Sequence, residues 1–245
     1  GAGCRPPAPA AGARAPPRRA PAAPPPAPPA PAPAPSFSVT FNSVAANQND
    51  RVTVPTGYET NVLLKAGDVI EPGVAGFNGS FPTPGQAEKW AGGNHDGMEL
   101  FAIPNTDANT SGVLAVNFEY PDFNILMSDA DVAAITSNPA SATAAQRQLA
   151  LSAVGVGVVE ITKGADGKWS VVPNSRYNKR YNGNSAYRVG GPAAGLLSNP
   201  IRGTLNNCAS GRTPWNTYLT CEETTDNYFD PSQPANDYGW VVEID

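Results

Sequence analysis

The sequence predicts an all-β fold with one short helical insertion. Between residues 37 and 245, short runs alternate apolar and polar side chains, and turns rich in glycine, asparagine and proline separate them. Alternation of this kind is typical of strands that bury one face. Only residues 129–152 carry a helical pattern. The repeat of short strand, turn and short strand favours a sandwich, a barrel or a propeller over a helical or doubly wound fold.

The first 36 residues are set apart by their composition. Residues 5–35 hold 14 of the 27 prolines of the chain, interspersed with alanine. Such a segment has too few apolar side chains to offset the entropy lost on ordering, so we expect a disordered, extended linker over residues 1–36 and a folded region over 37–245. The first residues, GAGC, place small side chains before Cys4 and resemble a bacterial lipoprotein junction. The alternative is an arbitrary start of the chain.

The folded region is acidic. The chain has a formal net charge of −5, and residues 1–36 contribute four arginines and no acid, so the remaining 209 residues carry −9. Nucleic-acid binding requires clustered Lys and Arg side chains, and this charge argues against it. The acidic side chains either bind divalent cations or form an ordinary soluble surface. No uninterrupted apolar run is long enough to span a bilayer.

The first predicted strands follow the linker directly. Residues 37–44, FSVTFNSV, alternate between apolar and polar side chains. Residues 51–66 predict two strands on either side of a turn at Pro55–Gly57. Residues 98–104 and 112–120, MELFAIP and GVLAVNFEY, predict a strand pair joined by a polar loop.

The helical insertion is expected to consist of two pieces. Asp129 or Asp131 is a suitable cap for its start, because an aspartate oxygen can accept a hydrogen bond from a free backbone N–H group. Pro139 lies in the middle of the segment. Proline lacks the N–H group and clashes with the preceding turn, so we expect it to separate two helices.

Four more strands are predicted in the last third of the chain. Residues 154–163 and 168–175 flank the turn at Gly164–Gly167 and predict a hairpin. Residues 217–223 and 238–245 predict two further strands. The final strand is strongly apolar and requires a neighbour on each side, so we expect the natural protein to continue past it.

The stretch GTLNNCASGRTPWNTYLTCEE, residues 203–223, holds Cys208 and Cys221 and ends on Glu222 and Glu223. A zinc finger is excluded because the chain has no paired CxxC motif and only one histidine. A disulfide, two packed free thiols, and a metal site that joins a thiolate to carboxylates all remain open. Because side chains alternate along a strand, Glu222 and Glu223 are expected to face opposite sides.

The same stretch is similar to the signature of the PhoX-type alkaline phosphatases, which runs close to GTLNNCAGGxTPWGTxLTCEE. The similarity extends in order through five other blocks, at 52–68, 94–101, 112–120, 155–161 and 238–245. It covers roughly residues 40–245. The resemblance implies a β-propeller, partial here and truncated at its C-terminus, and it identifies the chain as an N-terminal portion of a secreted phosphomonoester hydrolase.

The resemblance also implies a cluster of Ca²⁺ and Fe³⁺ that binds phosphate. Carried onto this chain, it assigns Cys208 as the thiolate that ligates iron. It assigns Glu223, Glu222, Glu119 and Glu243 as metal-binding carboxylates, with Glu223 favoured over its neighbour. It assigns no catalytic side chain, and one histidine leaves no plausible Ser/His/Asp triad.

Two residues depart from the family pattern. Ser210 stands where the family has glycine, and Phe118 stands where it has histidine, next to Glu119. We expect Ser210 to tighten the loop that approaches the metals, and Phe118 to remove a polar neighbour from Glu119. Neither change removes a proposed ligand.

The implied partners and location follow from the family. We expect a small phosphate ester as substrate, a monomer, and export to the periplasm, the cell surface or the medium, with a lipid anchor at Cys4. The 245-residue chain by itself is expected to be inactive, because further ligands of the family lie in later blades. The rival function is a non-catalytic propeller that binds calcium or a partner protein.

Removal of the Pro/Ala-rich segment tests the domain division. A chain that starts at Phe37 should keep the far-UV circular dichroism of the full chain, and residues 5–35 should be cut first in limited proteolysis, because little of the fold depends on them. Loss of strand signal on truncation would refute the division.

Overall fold

The computed structural model describes residues 40–192, 194–225, 228–230, 232 and 234–245. The linker predicted over residues 1–36 therefore lies outside the described residues. The chain divides into two compact units, Gly1–Gly57 and Tyr58–Asp245. None of the helices in the described part is both long and apolar enough to cross a membrane.

Among the residues that the structure describes, the strands predicted near the start of the folded region are not found, and residues 37–39 of the first of them lie outside that part. Residues 40–44 and 51–54 are in neither strand nor helix, and residues 58–66 are irregular as well, apart from a turn at 66. The turn predicted at Pro55–Gly57 is present at residues 56 and 57. An alternating pattern forms a strand only where a neighbouring strand pairs with its backbone. The nearest pairing is an isolated bridge between Val69 and Trp90.

The main sheet has five antiparallel strands and contains the predicted pair and hairpin. Strand β2 lies between β1 and β3, and both β4 and β5 pair with β3. The bounds are β1 His95–Phe101, β2 Ser111–Phe118, β3 Gly155–Lys163, β4 Trp169–Val171 and β5 Lys179–Tyr181.

Five more strands form two smaller antiparallel sheets. A two-stranded sheet pairs β6 Ala186–Tyr187 with β7 Ile201–Arg202. A three-stranded sheet places β9 Tyr218–Glu222 between β8 Asn207–Arg212 and β10 Val241–Ile244. The strands predicted at 217–223 and 238–245 are thus confirmed. The fold is mostly β, as predicted, and within the described ranges no sheet closes on itself.

The helical insertion consists of two helices, as the position of Pro139 predicted. Helix α1 covers Pro84–Ala87, α2 covers Asp129–Ser137, and α3 covers Ala144–Ala153. Short 3₁₀ turns occur at Phe123–Ile125, Pro139–Ser141, Ala194–Leu196 and Ala235–Asp237.

The cap of α2 differs from the prediction. Ser128, rather than Asp129 or Asp131, precedes the helix, and its hydroxyl accepts a hydrogen bond from the Asp131 backbone N–H at 3.2 Å. Serine and aspartate serve this position equally well, so the pattern alone did not distinguish them. Both aspartates lie in the first turn, where a negative charge favours the helix dipole.

The buried guanidinium of Arg180 joins helix α3 to the main sheet. Arg180 is 3% exposed and lies with its guanidinium carbon 4.7 Å from the centre of the Phe118 ring. It donates hydrogen bonds to the carbonyls of Ser152, Val154 and Val156, at the junction of α3 and β3. Burial lowers the pKa of Arg180 to about 9, and this shift is opposed by the Glu71 carboxylate.

Phe118 therefore belongs to the core of the main sheet. It is fully buried, and a Cβ added to Gly157 would lie 2.7 Å from its ring. The expectation that Phe118 changes the surroundings of Glu119 is wrong for a geometric reason. Successive side chains of a strand face opposite sides, and Phe118 points to the side of Arg180.

Glu222, the last residue of β9, is a buried structural carboxylate. One of its oxygens accepts hydrogen bonds from the Thr204 hydroxyl at 2.6 Å and the Leu205 N–H at 3.2 Å. The other accepts from the N–H groups of Gly239 at 3.0 Å and Trp240 at 3.3 Å. Burial raises the pKa of Glu222, and these donors oppose the shift.

Adjacent glutamates at the end of β9 should respond differently to the same substitution. Glu222→Gln should lower the free energy of unfolding by about 1–3 kcal/mol, because its amide group would face backbone N–H donors whose acceptor is lost. Glu223→Gln, on an exposed side chain, should change it by less than about 0.5 kcal/mol. Urea denaturation of both variants measures the difference, and equal losses would contradict the structural role of Glu222.

Candidate metal centre

Four strand ends meet where the main sheet approaches the three-stranded sheet. The register His95 to Phe118 places the start of β1 beside the end of β2, and the register Asn207 to Glu222 places the start of β8 beside the end of β9. The two sheets approach each other closely at Gly97. A Cβ added there would lie 2.6 Å from the Cys208 carbonyl oxygen, so only glycine fits.

Side chains from these four ends form the candidate site. Asp96 lies at the start of β1, Glu119 directly follows β2, Cys208 is the second residue of β8, and Glu223 directly follows β9. Strand topology thus brings the segments that carry Glu119, Cys208 and Glu223 to one junction from separate parts of the sequence.

The carboxylates of this site interact. Burial raises the pKa of Glu119, and the negative charges of Asp96 and Glu223 raise it further, as does a hydrogen bond between the Glu119 and Glu223 carboxyl groups. The Tyr120 hydroxyl donates to the Glu223 Oε2 atom at 2.5 Å. That hydrogen bond is the main reason why the pKa of Tyr120 is raised to about 12. The site therefore accumulates negative charge on hard oxygen ligands.

The two cysteines of the stretch are free thiols in the structure. The disulfide alternative is thus not adopted. Cys208 is half-buried, and its Sγ atom lies 3.6 Å from the Cys221 carbonyl oxygen. Cys208 is part of an irregular segment, since the pairing of β8 with β9 shifts register between Asn207 and Ser210. Because of this irregularity, the side of β8 on which the Cys208 thiol lies does not follow from regular strand alternation.

Glu222 and Glu243 are not brought into this group. The Glu222 carboxylate is held within the fold by the four hydrogen bonds from Thr204, Leu205, Gly239 and Trp240. Glu243 pairs with Leu219 across β10 and β9, toward the other end of the sheet. Its carboxylate accepts from the Trp215 indole N–H at 2.6 Å and from the Thr217 hydroxyl. These hydrogen bonds lower the pKa of Glu243.

The site fits cations in donor chemistry but is not a closed cage. Among the described residues, no group of three His, Cys, Asp or Glu side chains is arranged to hold a metal ion by itself. The mutual repulsion that raises the pKa of Glu119 is relieved when a cation lies between carboxylates. The Cys208 thiol, at the adjoining start of β8, would add a soft ligand to these hard ones. The residues present therefore fit part of a metal site.

Three other polar residues of β1 and β8 have ordinary structural roles. The His95 ring nitrogen Nε2 lies 2.9 Å from the Gly92 carbonyl oxygen, and burial lowers the pKa of His95. Arg212 forms an ion pair with Glu99 at 2.6 Å. Ser210 lies in β8 against Gly97, where an added Cβ would approach it to 2.8 Å.

Sequence reasoning missed three residues of the site. Asp96 lies near Glu119 because the register of the β1–β2 hairpin brings the start of β1 beside the end of β2. Tyr120 holds Glu223 from 103 residues away in the chain. Asn117 contacts the backbone at Cys208 across 91 residues. No local pattern reveals the last two contacts, because both depend on how the two sheets pack.

Comparison with known proteins identifies the family of this chain. The family model of alkaline phosphatase PhoX matches residues 39–245. The chain is similar to the solved structure of Pseudomonas fluorescens PhoX in complex with vanadate, a transition state analogue, with 35% sequence identity and a TM-score of 0.63. The match covers 76% of this chain and 32% of that chain, so this chain spans about a third of the length of that structure. The curated proteins contain no match to this chain.

The family model covers nearly all of the predicted folded region, residues 37–245, and includes every residue of the candidate site. The chain therefore belongs to the PhoX alkaline phosphatase family.

Proposed function

We propose that this chain is part of a phosphomonoester hydrolase whose metal centre includes Cys208, Glu119 and Glu223. The observation that carries the proposal is the meeting of four strand ends at the junction of two sheets, where the Glu119 and Glu223 carboxylates interact and where Cys208 lies at the start of β8. The similar Pseudomonas fluorescens PhoX was solved in complex with vanadate, a transition state analogue. A phosphate ester is the corresponding substrate class.

The ligand types support iron and calcium as the bound ions. A thiolate favours a transition metal, and iron accepts a mixed set of sulfur and oxygen ligands, so Cys208 would be the sulfur ligand of iron. The oxygens of Glu119 and Glu223 suit Ca²⁺, which prefers carboxylates, and Asp96 adds a third carboxylate nearby. When bound, such cations neutralise the phosphate and stabilise the charge on the attacking and leaving oxygens.

The chain's own residues fix the geometry of these ligands. Tyr120 donates its hydroxyl hydrogen to Glu223 and so limits the rotation of that carboxylate. The main chain at Glu223 is also held in place, since its N–H donates a hydrogen bond to the Asn206 carbonyl at 2.9 Å. Glycine at position 97 lets the sheet that carries Asp96 approach the segment that carries Cys208.

The wider organisation belongs to the same proposal. The three open sheets would be parts of blades of a β-propeller that is completed outside this chain. The Pro/Ala-rich residues 1–36 would link the propeller to its surroundings, with export from the cytoplasm and a lipid anchor at Cys4. The resemblance of GAGC to a lipoprotein junction supports the anchor. The mass of the N-terminal peptide from membrane fractions tests it: a fatty-acylated Cys4 is expected, and an unmodified Cys4 would contradict the anchor.

Metal-dependent hydrolysis of p-nitrophenyl phosphate tests the proposal. The complete gene product should hydrolyse this ester when both calcium and iron are supplied, and chelation of either metal should abolish the rate. The 245-residue chain should be inactive or nearly so, because losing ligands misplaces the charges that stabilise the transition state. A complete, doubly metal-loaded protein without phosphatase activity would favour the non-catalytic binding function.

Two ligand substitutions in the complete protein separate the site from the fold. Cys208→Ser and Glu223→Gln should each lower kcat by about 10²-fold or more, because a small misplacement of the reacting groups has that effect. Far-UV circular dichroism should stay unchanged. Cys221→Ser is the matched control and should keep both iron and rate. Retention of iron and rate by Cys208→Ser would show that this thiol is not a ligand.

A further inference from the structure

Asn117 is a buried amide whose hydrogen-bonding capacity is completely used. Its side chain is fully buried on β2. The Nδ2 group donates to the Cys208 carbonyl at 2.9 Å and to the Ala209 carbonyl at 3.2 Å. The Oδ1 atom accepts from the Tyr218 hydroxyl at 2.8 Å and from the Thr220 hydroxyl at 2.9 Å. Two donor hydrogens and two acceptor positions are thus all satisfied.

These hydrogen bonds lie at the irregular segment of β8. The pairing of β8 with β9 shifts register between Asn207 and Ser210, which leaves Cys208 and Ala209 without the regular ladder on either side. Carbonyl groups released by such a bulge need another donor when they are buried. Asn117 supplies one N–H to each carbonyl, and Tyr218 and Thr220 on β9 hold the amide in the orientation that does so.

The position of Asn117 also relates two proposed ligands to each other. Asn117 lies in β2 two residues before Glu119, which directly follows the strand. The contact from Asn117 to the backbone of Cys208 therefore ties the Cys208 segment to the end of the strand that Glu119 follows. Gly97 permits the approach, since it faces the same Cys208 carbonyl without a side chain.

We propose that Asn117 is a positioning residue that fixes the bulge at Cys208–Ala209 and thereby presents the Cys208 thiol to the metal centre. The importance of that thiol rests on the proposed function. The positional claim itself concerns the metal-free chain and is tested without any phosphatase assay. Failure of the phosphatase proposal and failure of this one are therefore distinguishable.

Asparagine is required here because of its two kinds of polar atoms. In Asn117→Asp, the shape is nearly unchanged, but an oxygen replaces the donor that faces the carbonyls of Cys208 and Ala209. Two carbonyls would then lose their donor and face a like partial charge. The bulge should open, and the Cys208 thiol should leave its position near the Cys221 carbonyl.

Native-state alkylation of the 245-residue chain with iodoacetamide tests the proposal. Trypsin cuts after Arg202 and Arg212, which places Cys208 and Cys221 on separate peptides, so Cys221 is an internal reference. Asn178→Asp is the matched control. Asn178 is also buried, donates to the Val172 carbonyl at 2.9 Å and accepts from the Glu160 N–H at 2.9 Å, but it does not contact Cys208 in the described hydrogen bonds.

We expect the ratio of Cys208 to Cys221 alkylation rates to rise about tenfold in Asn117→Asp and to stay within about twofold of the original in Asn178→Asp, since only the first substitution promotes local opening at Cys208. If Asn117→Asp does not fold, Tyr218→Phe replaces it. This variant keeps the ring but removes the hydroxyl that contacts Asn117 at 2.8 Å and the Gly97 carbonyl at 3.0 Å, and the ratio should rise by a smaller factor. A ratio that does not rise, or that rises equally in the Asn178→Asp control, overturns the proposal.

Discussion

The contact between the end of β2 and the start of β8 is the constraint on which the candidate site depends. At this point two sheets from distant parts of the chain approach so closely that position 97 must be glycine. The polar backbone exposed by the bulge is satisfied by the single buried amide of Asn117. A buried polar group without a partner costs stability, so the contact is specific as well as close. Everything proposed about the metal centre depends on this junction, because it brings the strand end that carries Cys208 to the strand ends that carry the carboxylates.

Two buried charged groups hold the elements on either side of the junction. Arg180 binds three carbonyls where α3 runs into β3 and lies against the face of Phe118, so the end of β2 is supported from below. Glu222 collects four hydrogen bonds and joins the loop before β8 to the loop before β10. The site residues themselves are more exposed and carry unbalanced negative charge. In the proposed centre, stability and ligand binding depend on different side chains of the same strands, with Glu222 and Glu223 as the clearest pair.

The sequence predicted the elements whose cause is local. The hairpins around β1–β2 and Gly164–Gly167, the division of the helices at Pro139 and the strands β9 and β10 all follow from short-range pattern and turn chemistry. Alternation failed over residues 51–66, because a strand also needs a partner and no local pattern supplies one. The opposite faces of Glu222 and Glu223 were predictable from strand geometry. The roles of Asn117 and Tyr120 were not, since each contact joins residues about a hundred positions apart.

Iron K-edge X-ray absorption of the iron-loaded complete protein tests the proposed centre most directly, because it reports the atoms bound to iron. We expect one sulfur scatterer in the first coordination shell together with oxygen ligands, and we expect the sulfur to disappear in Cys208→Ser while it persists in Cys221→Ser. A shell of oxygen and nitrogen alone in the unmutated protein, or a sulfur that survives in Cys208→Ser, would contradict the assignment of Cys208 as the ligand presented at the sheet junction.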